Sequence, residues 1–178
     1  MSTLSYMEMR EEMCITAKNI WDRRLTNAAG GNFAVRVDDN RILITPSLMS
    51  ERKHCCLKPE DILLIDFEEN ILEGEGKLSR ESDMHILMLS RFENIRSTIH
   101  AHPFHCMPYI AFGKPIQNVT EATMGRGVVE VIPYTKAYTP ELAQKVYEYF
   151  DVRRELAERK PLGVIQEKHG VVVTGPDL

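Results

Sequence analysis

The sequence predicts an α/β protein in which helices flank a central sheet, as an α+β or layered α/β/α fold. Two observations support this prediction. Strand-like runs follow one another between helical segments, and strands and helices do not alternate strictly, as they would in a doubly wound parallel sheet. The chain has 178 residues, of which 43% are hydrophobic, and a chain of this length can bury about 70% of its unfolded surface. We therefore expect a single domain that spans residues 1–178.

The first part of the chain predicts an amphipathic helix followed by strands. Apolar residues recur at spacings of three and four from Met9 to Leu25, and Gly30-Gly31 would end that helix. Residues 33–37 and 41–45 flank an Asp-Asp-Asn turn and predict a β-hairpin. The apolar run at 62–65 predicts a short buried strand.

The rest of the chain predicts two helices and four strands. In order, they are a helix from Ser79 to about Arg91, a strand within 95–102, a strand at 128–132, a helix from Pro140 to about Glu158, and strands at 163–166 and 171–174. Thr139 would cap the second helix, with proline at its first position.

The charge balance excludes several classes of protein. The 22 Lys and Arg and 26 Asp and Glu residues give a net charge of −4, and both signs are interspersed along the chain. We therefore expect no nucleic-acid or anionic membrane partner. No run approaches the roughly 18 apolar residues of a membrane span, and the first residues lack a signal-peptide pattern. These features predict a cytoplasmic protein whose four cysteines are reduced thiols.

Two histidines in the strand predicted within 95–102 are candidate metal ligands. His100 and His102 lie two residues apart, so in a strand both side chains project from one face. Zn²⁺ in a catalytic site commonly takes three protein ligands and leaves a position open for water or substrate. The candidates for the third ligand are His54, His85, His105 and His169. We favour His169, because Gly170 follows it at a turn between two predicted strands and gives that turn conformational freedom.

The sequence also allows two other interpretations of its histidines. An H-x-H pair also occurs without a metal, as two partly exposed histidines. A structural zinc module on His54, Cys55 and Cys56 is a poorer alternative, because adjacent cysteines lack the C-x₂₋₄-C spacing that suits one tetrahedral ion.

Five segments occur in an order typical of one known family. They are AGGNFAVR at 29–36, ITPS at 44–47, SRESDMH at 79–85, HAH at 100–102 and HGVVVTG at 169–175. Together they resemble the class II aldolase/adducin family, which includes L-fuculose-phosphate aldolase. The resemblance implies a mainly antiparallel central sheet flanked by helices, Zn²⁺ or another divalent ion on three histidines, and a homotetramer.

The resemblance also implies roles for individual residues. His100, His102 and His169 match the three metal ligands of the family, and Glu81 matches its acidic S-S-E residue. The residues that match its phosphate-binding groups are Gly31, Asn32, Ser47 and Ser79. Physical chemistry supports the last set, since a glycine turn and hydroxyls near a helix N-terminus suit a phosphate. Arg80 departs from the second serine of the motif and could offer a charge-assisted fork to phosphate or carboxylate.

The implied activity is a metal-dependent aldolase that cleaves a ketose phosphate to dihydroxyacetone phosphate and an aldehyde. The metal would stabilise the enediolate, and Glu81 would move the proton. The alternatives are a sugar-phosphate epimerase, dehydratase or decarboxylase on the same metal site, or a non-catalytic adducin-like interaction domain. Glu121 falls near the catalytic glutamate of the dehydratase branch, so it competes with Glu81 for the acid/base role.

Overall fold

The computed structural model describes residues 4–178. The strands are β1 (Asn32–Arg36), β2 (Arg41–Ile44), β3 (Leu63–Asp66), β4 (Ile71–Glu73), β5 (Ser97–Ala101), β6 (Glu130–Ile132), β7 (Leu162–Gln166) and β8 (Gly170–Gly175). The helices are α1 (Met7–Asp22), α2 (Met49–Lys53), α3 (Ser82–Arg91), α4 (Met107–Phe112), α5 (Glu121–Met124), α6 (Pro140–Asp151) and α7 (Arg154–Ala157).

All eight strands form one sheet, in the order β4-β3-β2-β1-β5-β8-β7-β6. Every neighbouring pair is antiparallel except β6 and β7, which are parallel. Helices cover both faces of this sheet, so the predicted layered α/β/α fold with a mainly antiparallel sheet is confirmed.

The alternation of side chains along the strands builds two apolar layers, because successive residues of a strand point to opposite faces. Phe33, Leu43 and Leu64 pack with α1 on one face. On the other face, the neighbouring residues Ala34, Ile42 and Ile44 contact the buried side chains of α3 and α6. α4 covers the first of these faces beside β5, β7 and β8.

The sheet register brings distant parts of the chain together at its centre. Asn32 of β1 pairs with His100 of β5, which in turn pairs with Val172 of β8. His169 lies in the turn between β7 and β8. The antiparallel pairing of β5 with β8 therefore carries that turn to the end of the strand that bears His100.

Several predicted boundaries differ from the structure. The helix predicted from Ser79 begins only at Ser82, because the chain turns at Ser79 and Glu81 takes the N-cap position. The helix predicted at 140–158 is two helices, which a turn at 152–153 separates. The short elements α2, α4, α5 and β4 were not predicted, since three to six residues give too little periodicity to recognise.

None of the helices within residues 4–178 combines the length and apolar character that a bilayer span requires.

Candidate metal centre and active site

Three histidines meet at the end of β5. His100 lies in β5, His102 follows it directly, and His169 reaches them from the β7–β8 turn. Each histidine offers one ring nitrogen, and these three nitrogens all lie within 4.8 Å of one another. The side chains of His100 and His169 are only 1% and 10% exposed. Of the four candidates for the third ligand, His169 is thus the one that joins the pair.

Two glycines make room for these rings. A β-carbon at Gly30 would lie 2.7 Å from Cε1 of His102, and a β-carbon at Gly170 would lie 2.7 Å from Cε1 of His100 and Cδ2 of His102. Real β-carbons essentially never approach another atom so closely. The imidazoles therefore rest directly on the backbone at residues 30 and 170.

The protonation state of the triad suits metal binding. Burial lowers the pKa of each of the three imidazoles, and the neighbouring histidines lower those of His100 and His102 further, so that the pKa of His102 is about 4. Metal ligation requires neutral imidazole. His100 Nδ1 donates a hydrogen bond to the carbonyl of Val171 at 3.1 Å, which leaves the lone pair on Nε2.

The donor set also fits a divalent ion in its geometry. Nε2 of His100 lies 3.1 Å from Nε2 of His102, close to the spacing of about 3.3 Å between two nitrogen ligands of a tetrahedral zinc ion. Nδ1 of His169 is buried and has no hydrogen-bond partner among the residues described. Three neutral, converging imidazoles with a backbone carbonyl behind one of them are typical of a zinc site with an open position.

Glu81 places its carboxylate against this triad. Oε1 lies 3.2 Å from Nε2 of His169, and Oε2 lies 3.5 Å from Nε2 of His100. Oε2 also accepts a hydrogen bond of 2.8 Å from the side-chain amide of Asn32. Glu81 is thus a nearly buried base, held within reach of any group that the triad binds.

A buried chain of hydrogen bonds lies behind Glu81. Oδ1 of Asn32 is 2.5 Å from Nε2 of His85, whose Nδ1 is 2.6 Å from Oγ1 of Thr98. His85 is fully buried, and burial lowers its pKa to about 3, so its ring is neutral. Sequence reasoning weighed His85 only as a third metal ligand and missed its link through Asn32 to Glu81. The spacing of four residues from Glu81 places the two side chains near each other, but no local pattern indicates that the His85 ring is buried or that it contacts Asn32.

The predicted anion-binding residues line one cavity of about 100 Å³ next to Glu81, together with Arg80 and Tyr138. The residues predicted for phosphate are Gly31, Asn32, Ser47 and Ser79, and all four belong to this lining. Ser79 Oγ accepts hydrogen bonds from the Asn32 side-chain amide and from the Glu81 backbone N–H. Its own hydroxyl proton is consequently free to donate to an anion.

Arg80 and Tyr138 form the outer part of this cavity. The guanidinium carbon of Arg80 stands 3.7 Å from the centre of the Tyr138 ring, within the range of a cation–π contact. Tyr138 has a left-handed backbone, with φ +62°, which is strained for a bulky side chain. Within residues 4–178, the Arg80 side chain makes no ion pair or hydrogen bond, so its charge is available to a ligand.

The remaining candidates for the acid/base residue and for the third metal ligand lie away from the triad and the cavity. Glu121 is exposed on the short helix α5 and does not line this cavity. The ring of His54 stacks on Trp21 at 5.2 Å, and the ring of His105 packs edge-on against Phe104. An open groove of about 740 Å³ beside α3 and α6 contains none of the predicted site residues.

Comparison with known proteins gives one family and several close relatives. The family model for the class II aldolase and adducin N-terminal domain matches residues 11–178. A 3-oxo-tetronate 4-phosphate decarboxylase of Haemophilus influenzae is 30% identical over 97% of this chain and 79% of its own length. An L-fuculose phosphate aldolase of Methanococcus maripaludis is 30% identical over 89% of this chain and 80% of its own length.

Among solved structures, an L-fuculose 1-phosphate aldolase superposes with a TM-score of 0.80. Its sequence is 24% identical, and the match covers 99% of this chain and 78% of the other. The likeness extends over the whole sheet and both helical layers.

Proposed function

The chain belongs to the class II aldolase and adducin N-terminal domain family, and we propose that it is a metal-dependent lyase that cleaves a ketose phosphate to dihydroxyacetone phosphate and an aldehyde. The observation that carries this proposal is the contact of the Glu81 carboxylate with two histidines of the triad, at 3.2 and 3.5 Å. Aldol cleavage needs both groups, because the breaking bond leaves negative charge that must be stabilised and then protonated.

His100, His102 and His169 would hold the ion, Zn²⁺ or another divalent metal. Bound there, the ion would act as a Lewis acid that stabilises negative charge on a substrate carbonyl oxygen. The chain supports this role by keeping the three imidazoles neutral. Gly30 and Gly170 leave space for the rings.

Glu81 acts as the acid and base in this proposal. As the carbon–carbon bond breaks, its electron pair stays on the carbon from which the aldehyde departs, and the hydroxyl that becomes the aldehyde carbonyl loses its proton. Glu81 takes up that proton and gives it to the carbon that keeps the pair, and it moves the proton in the opposite direction during synthesis. Gly31, Ser47 and Ser79 bind the phosphate through a backbone N–H and two hydroxyls. Asn32 contacts both the acid/base residue and a phosphate-binding residue, since its side-chain amide donates hydrogen bonds to Glu81 and to Ser79.

The test is a screen of metal-loaded protein against ketose phosphates, with NMR detection of dihydroxyacetone phosphate. We expect one or more substrates to be cleaved, and the Glu81→Gln variant to bind the same amount of metal without cleaving them. Inversion of a hydroxyl carbon without cleavage would instead favour an epimerase. Loss of water would favour a dehydratase.

A second candidate reaction, decarboxylation, is favoured by Arg80. Its guanidinium borders the cavity without an anionic partner among the described residues, and a forked cation of this kind binds carboxylates well. In a phosphorylated 3-oxo sugar acid, the bond to the carboxylate would break and CO₂ would leave with neither electron of that bond. Glu81 would take a proton from water and give it to the carbon that keeps the pair.

Arg80 separates the two reactions experimentally. If the substrate is an acid, Arg80→Gln should lower kcat/KM for the phosphorylated 3-oxo acid by about 10- to 100-fold and leave ketose phosphates that lack a carboxylate unaffected. Arg24→Gln is a matched control, because Arg24 also lies near an aromatic ring, 6.0 Å from that of Phe104, but outside this cavity. Equal effects of Arg80→Gln on phosphorylated substrates with and without a carboxylate would contradict a subsite for the carboxylate.

A further inference from the structure

We propose that His85 is a positioning residue of the active site, which acts through Asn32 to fix the direction in which Glu81 presents its carboxylate. The proposal rests on the acid/base role proposed for Glu81. Its basis is an uninterrupted run of hydrogen bonds from Thr98 to His85, from His85 to Asn32 and from Asn32 to Glu81, with distances of 2.6, 2.5 and 2.8 Å.

We call this run of hydrogen bonds, from Thr98 to Glu81, the relay. The donor and the acceptor of each bond in it follow from the carboxylate at its end. An ionised carboxylate only accepts hydrogen bonds, so the atom of Asn32 that faces Glu81 is the amide nitrogen. The Asn32 oxygen must then face His85, and Nε2 of His85 must carry the proton that it accepts. A neutral imidazole has one proton, so Nδ1 accepts from the hydroxyl of Thr98. The acceptor-only carboxylate of Glu81 thus sets the direction of every bond, and the donor at Nε2 of His85 holds the Asn32 amide in the orientation that faces Glu81.

The relay is anchored on the same strands as the metal ligands. Thr98 lies in β5, two residues before His100, and it pairs with Ala34 in β1 and with Thr174 in β8. Asn32 lies in β1 directly opposite His100. Both side chains are buried. The position of the Asn32 amide is thus set by the sheet that sets the position of the triad.

Glu81 needs such a constraint because it lies outside regular structure. It is the N-cap residue of α3 and follows the turn at Ser79. Within residues 4–178, the Asn32 amide donates the one side-chain hydrogen bond that the Glu81 carboxylate accepts, at Oε2. While that bond holds Oε2, the other oxygen stays directed to His169. If the Asn32 amide turned over, its oxygen would face a carboxylate, and Glu81 would be repelled from its place.

The decisive experiment compares four variants for kcat, KM, bound metal and the NMR resonances of the Asn32 side-chain amide. His85→Leu removes the relay, His85→Gln keeps a donor at this position, and Thr98→Val removes only the hydroxyl that donates to Nδ1 of His85. Met88→Ala is the control, since Met88 is buried on the same helix but belongs to the apolar layer.

We expect His85→Leu to lower kcat by about 10- to 100-fold, while KM and metal content change less than about twofold. Thr98→Val should lower kcat by about three- to tenfold and keep the fold even if His85→Leu does not. His85→Gln should recover a large part of the loss. The Asn32 amide resonances, assigned by their absence in Asn32→Ala, should shift in His85→Leu and Thr98→Val but not in Met88→Ala.

A loss of kcat that Met88→Ala reproduces would overturn the relay, because it would then reflect stability alone. Unshifted Asn32 resonances in His85→Leu and Thr98→Val would overturn it as well. The NMR readout needs no turnover. An inactive wild type would therefore refute the proposed function while the resonances still decide whether His85 orients Asn32.

Discussion

Gly30 lies directly against the ring of His102, so closely that one added methyl group would stand 2.7 Å from Cε1. Gly30→Ala should therefore displace His102 and weaken metal binding by about 10- to 100-fold, the range found for groups that support a ligand. Gly125→Ala is the control, because a β-carbon there would meet nothing within 4 Å. Competition with a chelator measures both affinities. Equal affinities for the two variants would contradict a metal site that needs the His102 ring in its place against Gly30.

Glu81→Gln keeps the shape of the side chain and removes its basicity. We expect kcat to fall by about 10²- to 10⁴-fold, the usual effect of losing a general base, while metal content stays unchanged. Glu121→Gln, on the exposed helix α5, should retain normal turnover. Steady-state kinetics with a substrate from the screen provides the measurement. The reverse pattern would refute the aldolase proposal and favour the dehydratase.

Loss of a phosphate donor should appear in KM. Ser79→Ala removes a hydroxyl whose proton is free to donate to the phosphate. A hydrogen bond to a charged group is worth about 1.5–3 kcal/mol. We expect KM for the phosphorylated substrate, and the inhibition constant of inorganic phosphate, to rise by about tenfold or more. Ser90→Ala, on the exposed side of α3, should change neither. If Ser79→Ala left both constants unchanged, the phosphate would bind elsewhere.

His85 should make the metal-free protein acid-sensitive. Burial lowers its pKa from 6.5 to about 3, so between these values the unfolded chain binds more protons than the folded one. The free energy of unfolding should therefore fall as the pH is lowered through this window, by about 1.4 kcal/mol per pH unit. Urea titrations in a chelator at pH 7 and pH 5 should show that the wild type loses about 2 kcal/mol more than His85→Gln. Equal losses would contradict a neutral, buried His85.

The segment from α4 to β6 should form a subunit contact. It exposes large apolar side chains, among them Phe112, Val119 and Met124, which are 76%, 79% and 66% exposed. We expect a homotetramer, with a mass in sedimentation equilibrium of four times 20.4 kDa at micromolar concentration. Phe112→Glu should lower that mass, whereas Val152→Glu, at an equally exposed position beyond α6, should not. A monomeric wild type would refute this expectation.

The parts of the fold that were predicted correctly are those with a local cause. The hairpin of β1 and β2 follows from alternation around a polar turn, and the turn at His169 follows from the glycine after it. The start of α3 was misjudged because Ser79 has the chemistry of a cap, whereas tertiary bonds fix the chain there. Ser82, the first helical residue, bonds through its hydroxyl to Glu69.

Sequence reasoning named the three histidines, Glu81 and the residues that line the cavity, but not the contacts that hold them in place. His85 has the same local sequence pattern whether it is buried or exposed, and its partner Asn32 lies 53 residues away along the chain. The contact of Arg80 with Tyr138 likewise has no local signal, since it joins two segments through the fold. Long-range polar pairs of this kind depend on register and packing, which periodicity alone does not determine.

Because His169 lies on the β7–β8 turn, a bound metal ion would stabilise the fold as well as take part in the chemistry. His102 and His169 are 169 − 102 = 67 positions apart in the sequence, and one ion would tie them together. A single cross-link across so long a loop restricts the unfolded chain strongly. The ion would thus hold the β7–β8 hairpin against β5 at the centre of the sheet. The three histidines that bind the metal for the reaction would also oppose local unfolding of these strands.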